Sequence, residues 1–277
     1  MYKVKQCRYG KMLFNENDNT VGKCLDEYGE WSEPEPLLFS QIVRPNDVVV
    51  EAGANIGAHS VPLSKMVGED GRLYVFEPQR IVFQMLCANL ALNELLNVRA
   101  FHAALGNKNE ITEFPYYDPR NPNNFGAATF YDLGKFPSES VTVRTLDSYA
   151  LDRVDFIKAD VEGYEPMVLD GAKQTIERHR PVLYLEYLNH HTLDSSGEII
   201  SRLKHLNYSF WYYICPAYNP QNFSKNPDNF LQGVWSFDLL CVPSEKAVVT
   251  GMQNALTERG YCDDPDAWRS VRFEWKI

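Results

Sequence analysis

The sequence predicts an α/β protein built on a mostly parallel sheet, and three observations carry that prediction. Short apolar runs alternate with helical patterns through the centre of the chain, the layout of successive β-α-β units. The first clear run, residues 47–51 (DVVVE), passes straight into a turn holding Gly53 and Gly57 and then into a helical stretch. A second acid, Glu77, closes the next run, where an α/β nucleotide site places a carboxylate for ribose hydroxyls.

The elements follow in order. Residues 47–51 are β-branched and flanked by turn residues at Pro45-Asn46 and Gly53. A helix is expected over 58–66, ended by Val67-Gly68, and then a strand at 73–76. Residues 81–92 carry Val82, Leu86 and Leu90 at four-residue spacing, the stripe of an amphipathic helix. Residues 98–102 make a third strand. The stretch 110–145 is rich in Asn, Pro and aromatics and ends in an alternating run at 140–144 (SVTVR); it reads as an antiparallel insertion. Alternation resumes with a strand at 154–158. A helix then opens near Pro166, where the missing N–H does no harm. It shows Leu169, Ala172 and Ile176 on one side and stops before Pro181. A strand at 182–185, a helix at 198–205 and strands at 208–214 and 235–242 complete a seven-strand sheet with a reversed edge strand. The long Asn-rich loop 216–234 joins the last two. Residues 1–277 form one domain in this reading: a lead-in segment 1–45, a core 46–243, and an extension 244–277 read as a helix plus an added segment.

The chain has 277 residues, a net charge of −10, 44% hydrophobic and 23% charged residues. That composition is of an ordinary globular protein, and its acidity argues against nonspecific binding to nucleic-acid phosphates. The amino terminus lacks the apolar segment of a secretory signal, and no run of about 18 apolar residues reads as a membrane span. Six cysteines occur without a C-x-x-C pair, and Cys87 and Cys241 lie in apolar stretches. They read as buried thiols of a reducing compartment, with the cytoplasm as the default location.

The strongest chemical signal is EAGANIG, residues 51–57. Gly53 allows a sharp turn, Gly57 lets a ligand approach the backbone, and the helix that follows offers N–H groups and partial positive charge. A dinucleotide site wants glycine where Asn55 stands, and Glu51 would repel a pyrophosphate. A P-loop needs a Gly-Lys-Ser/Thr that is missing. An S-adenosylmethionine site fits better, because Glu51 can face the ligand's cationic amino-acid portion.

With VVVEAGANIG (48–57), FEP (76–78), FHAALGN (101–107), VRTLDSY (143–149) and DFIKADVEGYEPMVLDGA (155–172), the chain resembles the FkbM family of class I S-adenosylmethionine-dependent methyltransferases. YGEWSEPEPLLF (28–39) is similar to that family's lead-in helix. The resemblance implies a Rossmann-like fold with a seven-strand, mostly parallel sheet and an antiparallel insertion. It implies a bound S-adenosyl-L-methionine and methyl transfer, most often to a hydroxyl oxygen of a sugar or secondary metabolite. On this chain it assigns the cofactor turn to Glu51, Gly53, Asn55 and Gly57, with Ser60 beside the methionine moiety. Glu77 would hold the ribose, Pro78 and Gln79 would flank the adenine, and Ala103 and Ala104 would meet its edge. His59 departs from the apolar or aromatic residue usual at its place, and reads equally as a solvent-facing helix residue or a ligand contact.

Asp160 follows the strand DFIKA at the carboxyl edge of the sheet, Glu162 comes two residues later, and Glu186 ends VLYLE, with His190 and His191 just beyond. Ligands bind at that edge. Asp160 is the first choice as base or orienter of the acceptor and is also a candidate contact of the cofactor; His190 and Glu186 are further catalytic candidates. Asp160, Glu162 and Glu186 also form a hard-oxygen set for a divalent metal, although hydrogen bonding is the preferred use, and for Glu162 capping of the helix that follows. The Asp263–Asp266 cluster reads as a helix start. Tyr117, Tyr218, Asn124 and Gly126 are candidate walls of the acceptor pocket, since aromatic faces with amide neighbours suit a carbohydrate. The expected partner is thus a small hydroxylated molecule, with no nucleic acid and no membrane; a homo-oligomer is left open. N-methylation and a catalytically silent cofactor-binding module are the alternatives.

Overall fold

The computed structural model describes residues 1–187, 189–190, 193–258 and 264–276, the backbone alone at 189, 190, 193 and 194. Among these residues the apolar runs build a central sheet of eight strands. They are β1 (Val48–Ala52), β2 (Arg72–Phe76), β3 (Val98–Phe101), β4 (Phe156–Ala159), β5 (Val182–Glu186), β6 (Tyr208–Pro216), β7 (Trp235–Pro243) and β8 (Gln253–Asn254). The order across the sheet is β3-β2-β1-β4-β5-β7-β6-β8. β1 to β5 pair in parallel, whereas β7 runs antiparallel to both β5 and β6, and β8 antiparallel to β6.

Two expectations about the sheet are corrected. The reversed strand is not the edge strand: β7 inserts between β5 and β6. The eighth strand escaped notice because it is two residues long, pairing only with Trp211 and Tyr212, too short to show a period.

Helices cover both faces. α1 (Val21–Glu27), α2 (Pro34–Ile42), α3 (Ser60–Val67) and α4 (Arg80–Leu92) precede the insertion, and α5 (Glu165–Asp170), α6 (Lys173–His179) and α7 (Ser196–Leu203) follow it. Adjacent residues of a strand point to opposite faces, and a parallel sheet buries both. Val49 accordingly joins Leu38, Phe39, Leu63 and Leu86 in one core, while Val50 joins Leu169, Ile176, Ile199 and Leu203 in the other. Full burial of a side chain such as Leu86 contributes about 1.5–3 kcal/mol.

The helix expected from Pro166 to Pro181 is divided in two. Gly171 lies so close to Gly106 that a Cβ there would stand 1.9 Å from the Gly106 carbonyl oxygen, and the chain turns at this contact. Leu169, Ala172 and Ile176 still enter one core, so the apolar spacing was correct although the helix was not continuous. The insertion forms a small sheet in which Ser138–Arg144 pairs antiparallel with Glu110–Pro115 and parallel with Ala104–Leu105.

In the C-terminal segment the expected helix is replaced, among the described residues, by strand Ala247–Thr250 paired with Arg272–Trp275 and a 3₁₀ turn at Ala267–Ser270. Trp268, Val271 and Phe273 gain burial against the core that holds α2; an aromatic at every few positions suits either conformation. Cys7, Cys24, Cys215 and Cys241 are buried, but Cys87 is exposed on α4; Cys262 and Asp263 lie outside the described residues. No described helix is long and apolar enough to cross a membrane.

The lead-in segment opens with a hairpin, Tyr2–Cys7 against Gly10–Asn15. Buried Asn89 of α4 ties it to the core: its Oδ1 accepts from the Leu13 N–H at 2.6 Å, and its Nδ2 donates to the carbonyls of Leu13 and Ile56 at 3.0 and 2.7 Å. One amide thus links the hairpin, α4 and the turn after β1.

Candidate active site

The chain leaves β1 toward β2 on one side and β4 lies on the other. Their carboxyl ends therefore open a crevice, where open α/β sheets bind ligands. A cavity of about 250 Å³ occupies it. Gly53, with φ +76°, makes the turn out of β1, and its N–H donates to the Phe76 carbonyl at 3.0 Å. A Cβ at this position would lie 1.8 Å from the Asp160 carbonyl oxygen, so only glycine lets the ends of β1 and β4 meet. Asn55 stands at φ +50°, a left-handed conformation that asparagine tolerates. The turn therefore keeps its shape without the middle glycine.

The backbone of this turn fixes Glu77. Asn55 N–H donates to Glu77 Oε2 at 3.0 Å and Gln79 N–H to Oε1 at 2.8 Å. Burial nevertheless pushes the carboxyl up to about 7 against these two donors. Glu51 is 1% exposed and accepts from Ser60 Oγ at 2.5 Å. Burial lifts it to about 7 as well, opposed by Lys158 and Ser60.

Lys158 sits on β4, 1% exposed, with its Nζ 2.9 Å from Asp160 Oδ2. Burial alone would lower its proton affinity, but Asp160, Glu51 and Glu35 together raise it. In return, Lys158 outweighs the burial that would neutralise Asp160 and holds that carboxyl below its ordinary value. Glu162 and Glu186 go the other way. Burial and then Asp160 push Glu162 up to about 8 and Glu186 well above the usual range. Near neutral pH, Asp160 is therefore the ionised member of the trio and its two neighbours hold protons. One oxygen from each of the three lies within 4.8 Å of the others. Glu162 is not the cap of α5: the cap position is Tyr164, and no side chain hydrogen-bonds the helix start there.

The cavity brings together Glu51, Gly53, Asn55, Glu77, Pro78, Gln79, Ala104, Asp160, Glu162, Glu186, Asn124 and Gly126, whereas Gly57, Ser60 and Ala103 do not line it. Ser60 reaches the site through Glu51. The side chain of His190, and all of His191, lie outside the described residues. Two expected walls are elsewhere. Tyr117 donates to Asp132 at 2.9 Å and packs on Phe125 and Phe136; Tyr218 donates to the Pro227 carbonyl at 3.1 Å with its ring against Tyr28. A ring in an irregular loop turns to whichever apolar surface is nearest, and sequence does not name that surface. Trp31, Phe130, Tyr164 and Trp235 line the cavity instead.

His59 does not face solvent: it is 4% exposed, and burial with Lys158 nearby lowers it to about 3, so its ring is neutral. Sequence reasoning also passed over Ser32, Glu35 and Lys158, all in the cavity wall. For Lys158 a signal was present, since a lysine inside an otherwise apolar buried strand requires a partner.

Residues 51–210 match the model of the methyltransferase FkbM domain, more than half of the chain. The chain belongs to this family. It is 28% identical over 161 residues to the methyltransferase sdnD of Sordaria araneosa, a match that spans 47% of this chain and 61% of that protein, so the chain covers under two thirds of this relative's length. A crystal structure of a methyltransferase FkbM from Methylobacillus flagellatus is 21% identical, with 74% of this chain and 50% of that one covered and a TM-score of 0.45. A S-adenosylmethionine-dependent O-methyltransferase from Thermotoga maritima is 13% identical, with 76% and 63% covered and a TM-score of 0.44.

The crevice fits the methyl donor of an FkbM domain. Among the described residues its wall carries six carboxyl groups, of Glu35, Glu51, Glu77, Asp160, Glu162 and Glu186, against the single ammonium of Lys158. Glu162 and Glu186 hold protons, but Asp160 is ionised and a ligand with a sulfonium and an ammonium draws Glu51 and Glu77 into their ionised form, so such a ligand suits this wall. Each Glu77 oxygen accepts one backbone N–H and keeps a lone pair for a ribose hydroxyl.

Proposed function

We propose that the chain is an S-adenosylmethionine-dependent methyltransferase that methylates a hydroxyl oxygen of a small polar acceptor, most naturally one with a sugar ring. The observation that carries this reading is the Asp160 carboxylate, paired with Lys158 at 2.9 Å, in the same cavity as Glu51 and Glu77. The bound donor supplies an electrophilic methyl carbon on a positively charged sulfur. Glu51 would take the donor's ammonium and Glu77 its ribose. Asp160, held charged by Lys158, accepts the acceptor's O–H, fixes the oxygen's approach and receives its proton. Because its proton affinity is low, Asp160 contributes mainly by aligning the oxygen, the proton passing to it as the new C–O bond forms.

The charge of the cavity favours oxygen over nitrogen. Ionised Asp160 and the carboxyls of Glu35, Glu51 and Glu77, which release their protons near pH 7, favour a protonated amine, whose lone pair is then unavailable, whereas a hydroxyl is neutral throughout. Trp31 and Trp235 offer flat apolar faces and Asn124 an amide, a combination suited to a carbohydrate ring.

The test is incubation with S-adenosylmethionine and a panel of glycosides, hydroxylated metabolites and amines, read by product mass and by carbon–proton correlation of the new methyl group. A methyl joined to oxygen is expected. A methyl on nitrogen reassigns the acceptor class, and no transfer to any member, with the donor bound, supports a silent binding module.

A further inference from the structure

We infer that Ser32 and His59, with Lys158 as their charged neighbour, form the receptor for the amino-acid end of the methyl donor, a zwitterionic ammonium and carboxylate. The inference rests on the methyl-donor reading of the crevice and adds a part of the chain that the family match, which begins at residue 51, does not include.

Two buried polar atoms in the cavity wall lack a hydrogen-bond partner: Ser32 Oγ and His59 Nε2. The residues are 2% and 4% exposed, so water does not compensate them at the surface. Buried polar groups are nearly always paired, and such atoms facing a cavity are completed by what enters it. Ser32 lies near enough to Glu35 to lower that carboxyl's proton affinity, but makes no hydrogen bond with it. Its φ of +42° is a left-handed conformation that a residue with a Cβ adopts only when its surroundings impose it.

These surroundings are visible. Arg8 Nε donates to Glu30 at 2.7 Å and Tyr9 Oη to Glu33 at 2.7 Å, so the N-terminal hairpin grips the residues on both sides of Ser32. His59 is held by Phe39, whose ring meets it edge-on at 5.8 Å, and its Nδ1 faces Glu35 Oε2 at 3.8 Å. With Glu35 ionised the ring proton belongs on Nδ1 and Nε2 accepts from the cavity; with Glu35 protonated Nε2 carries the proton and donates to it.

The position of the pair selects the ligand. His59 immediately precedes Ser60, whose hydroxyl donates to Glu51, and Ser32 and His59 line the same cavity as the carboxylate assigned to the donor's ammonium. The local charge pattern is mixed: Glu35 and Glu51 are acids, Lys158 is a cation that both of them feel, and Ser32 and His59 are neutral hydrogen-bonding groups. A simple anion would be repelled by the acids, and a simple cation would leave the Ser32 hydroxyl proton and the Lys158 ammonium without a partner in the ligand. An ammonium next to a carboxylate uses every group. The lead-in segment is on this account a working wall of the cofactor site, held there by the hairpin.

The test uses the full chain and two nucleosides that differ in this end alone. S-adenosylhomocysteine carries the amino acid and 5′-methylthioadenosine lacks it. Affinities for both are measured by calorimetry for the wild type, Ser32→Ala and His59→Phe. Each substitution is expected to weaken S-adenosylhomocysteine roughly tenfold or more, the loss of a hydrogen bond to a charged group. 5′-Methylthioadenosine should bind all three proteins within about twofold, which also reports that the fold is intact. Equal losses for the two nucleosides, or unchanged S-adenosylhomocysteine affinity, would overturn the inference. A wild type that binds neither compound removes the methyl-donor reading itself. Should His59→Phe fail to fold, Ser32→Ala, which deletes one oxygen, decides alone.

Discussion

Replacing Glu77 by glutamine tests the cofactor turn with the smallest change of shape. In the native site both carboxylate oxygens accept a backbone N–H, from Asn55 at 3.0 Å and from Gln79 at 2.8 Å, and the side chain is 3% exposed. An amide has one oxygen and one NH₂, so one of those two N–H groups is left facing a donor. An unpaired buried N–H costs about 1–3 kcal/mol. At about 2–4 °C per kcal/mol for a domain of this size, Glu77→Gln should lower the melting temperature by roughly 2–12 °C. The ribose loses one of two charge-assisted hydrogen bonds, about 1.5–3 kcal/mol, and S-adenosylhomocysteine should bind roughly 10- to 150-fold more weakly. Thermal melts of the ligand-free protein and calorimetric titrations read the two effects separately. A lowered melting temperature with unchanged affinity would refute the ribose assignment, leaving Glu77 as a brace for the turn alone.

Two further outcomes follow from the electrostatics. Glu35, Glu51 and Glu77 are raised by burial from an ordinary 4.5 to about 7, so between those values the folded chain holds protons that the unfolded chain has released. The stability of the ligand-free protein should therefore fall as pH rises from about 5 to about 8, and melting temperatures that stay level or rise across that window would contradict the assignment. Dialysis against EDTA should leave methyl transfer unchanged, because Lys158 and the protons on Glu162 and Glu186 already offset the clustered acids; loss of activity restored by magnesium would instead assign Asp160, Glu162 and Glu186 to a metal.

Much of the fold and part of the site could be read from order alone. Strand runs in a parallel sheet are nearly continuous in apolar residues and stand out, which located Val48–Ala52, Arg72–Phe76 and Phe156–Ala159 within two residues. The turn at Gly53 and the acid at Glu77 were legible because a backbone that must bend sharply admits few residue types there, and because the strand before it fixes where Glu77 ends. What escaped was of two kinds. Gly171 looked like one more helix residue, since a contact with Gly106 leaves no mark in the periodicity. Tyr117 and Tyr218 looked like pocket walls, since composition does not say which way a loop ring turns.

By itself, then, the amino-acid order determined the run of strands and helices, the turn after the first strand and the acids that close neighbouring strands, all of which depend on short-range sterics and burial. Only the tertiary structure decided which distant groups share the crevice: Ser32 and Glu35 from the lead-in segment, His59 before its helix, Lys158 inside a strand and Trp235 at the start of another. The physical reason is that a site's charge balance is a sum over neighbours in space. Lys158 becomes the counter-ion of Asp160, and His59 becomes neutral, only once folding has removed water from around them.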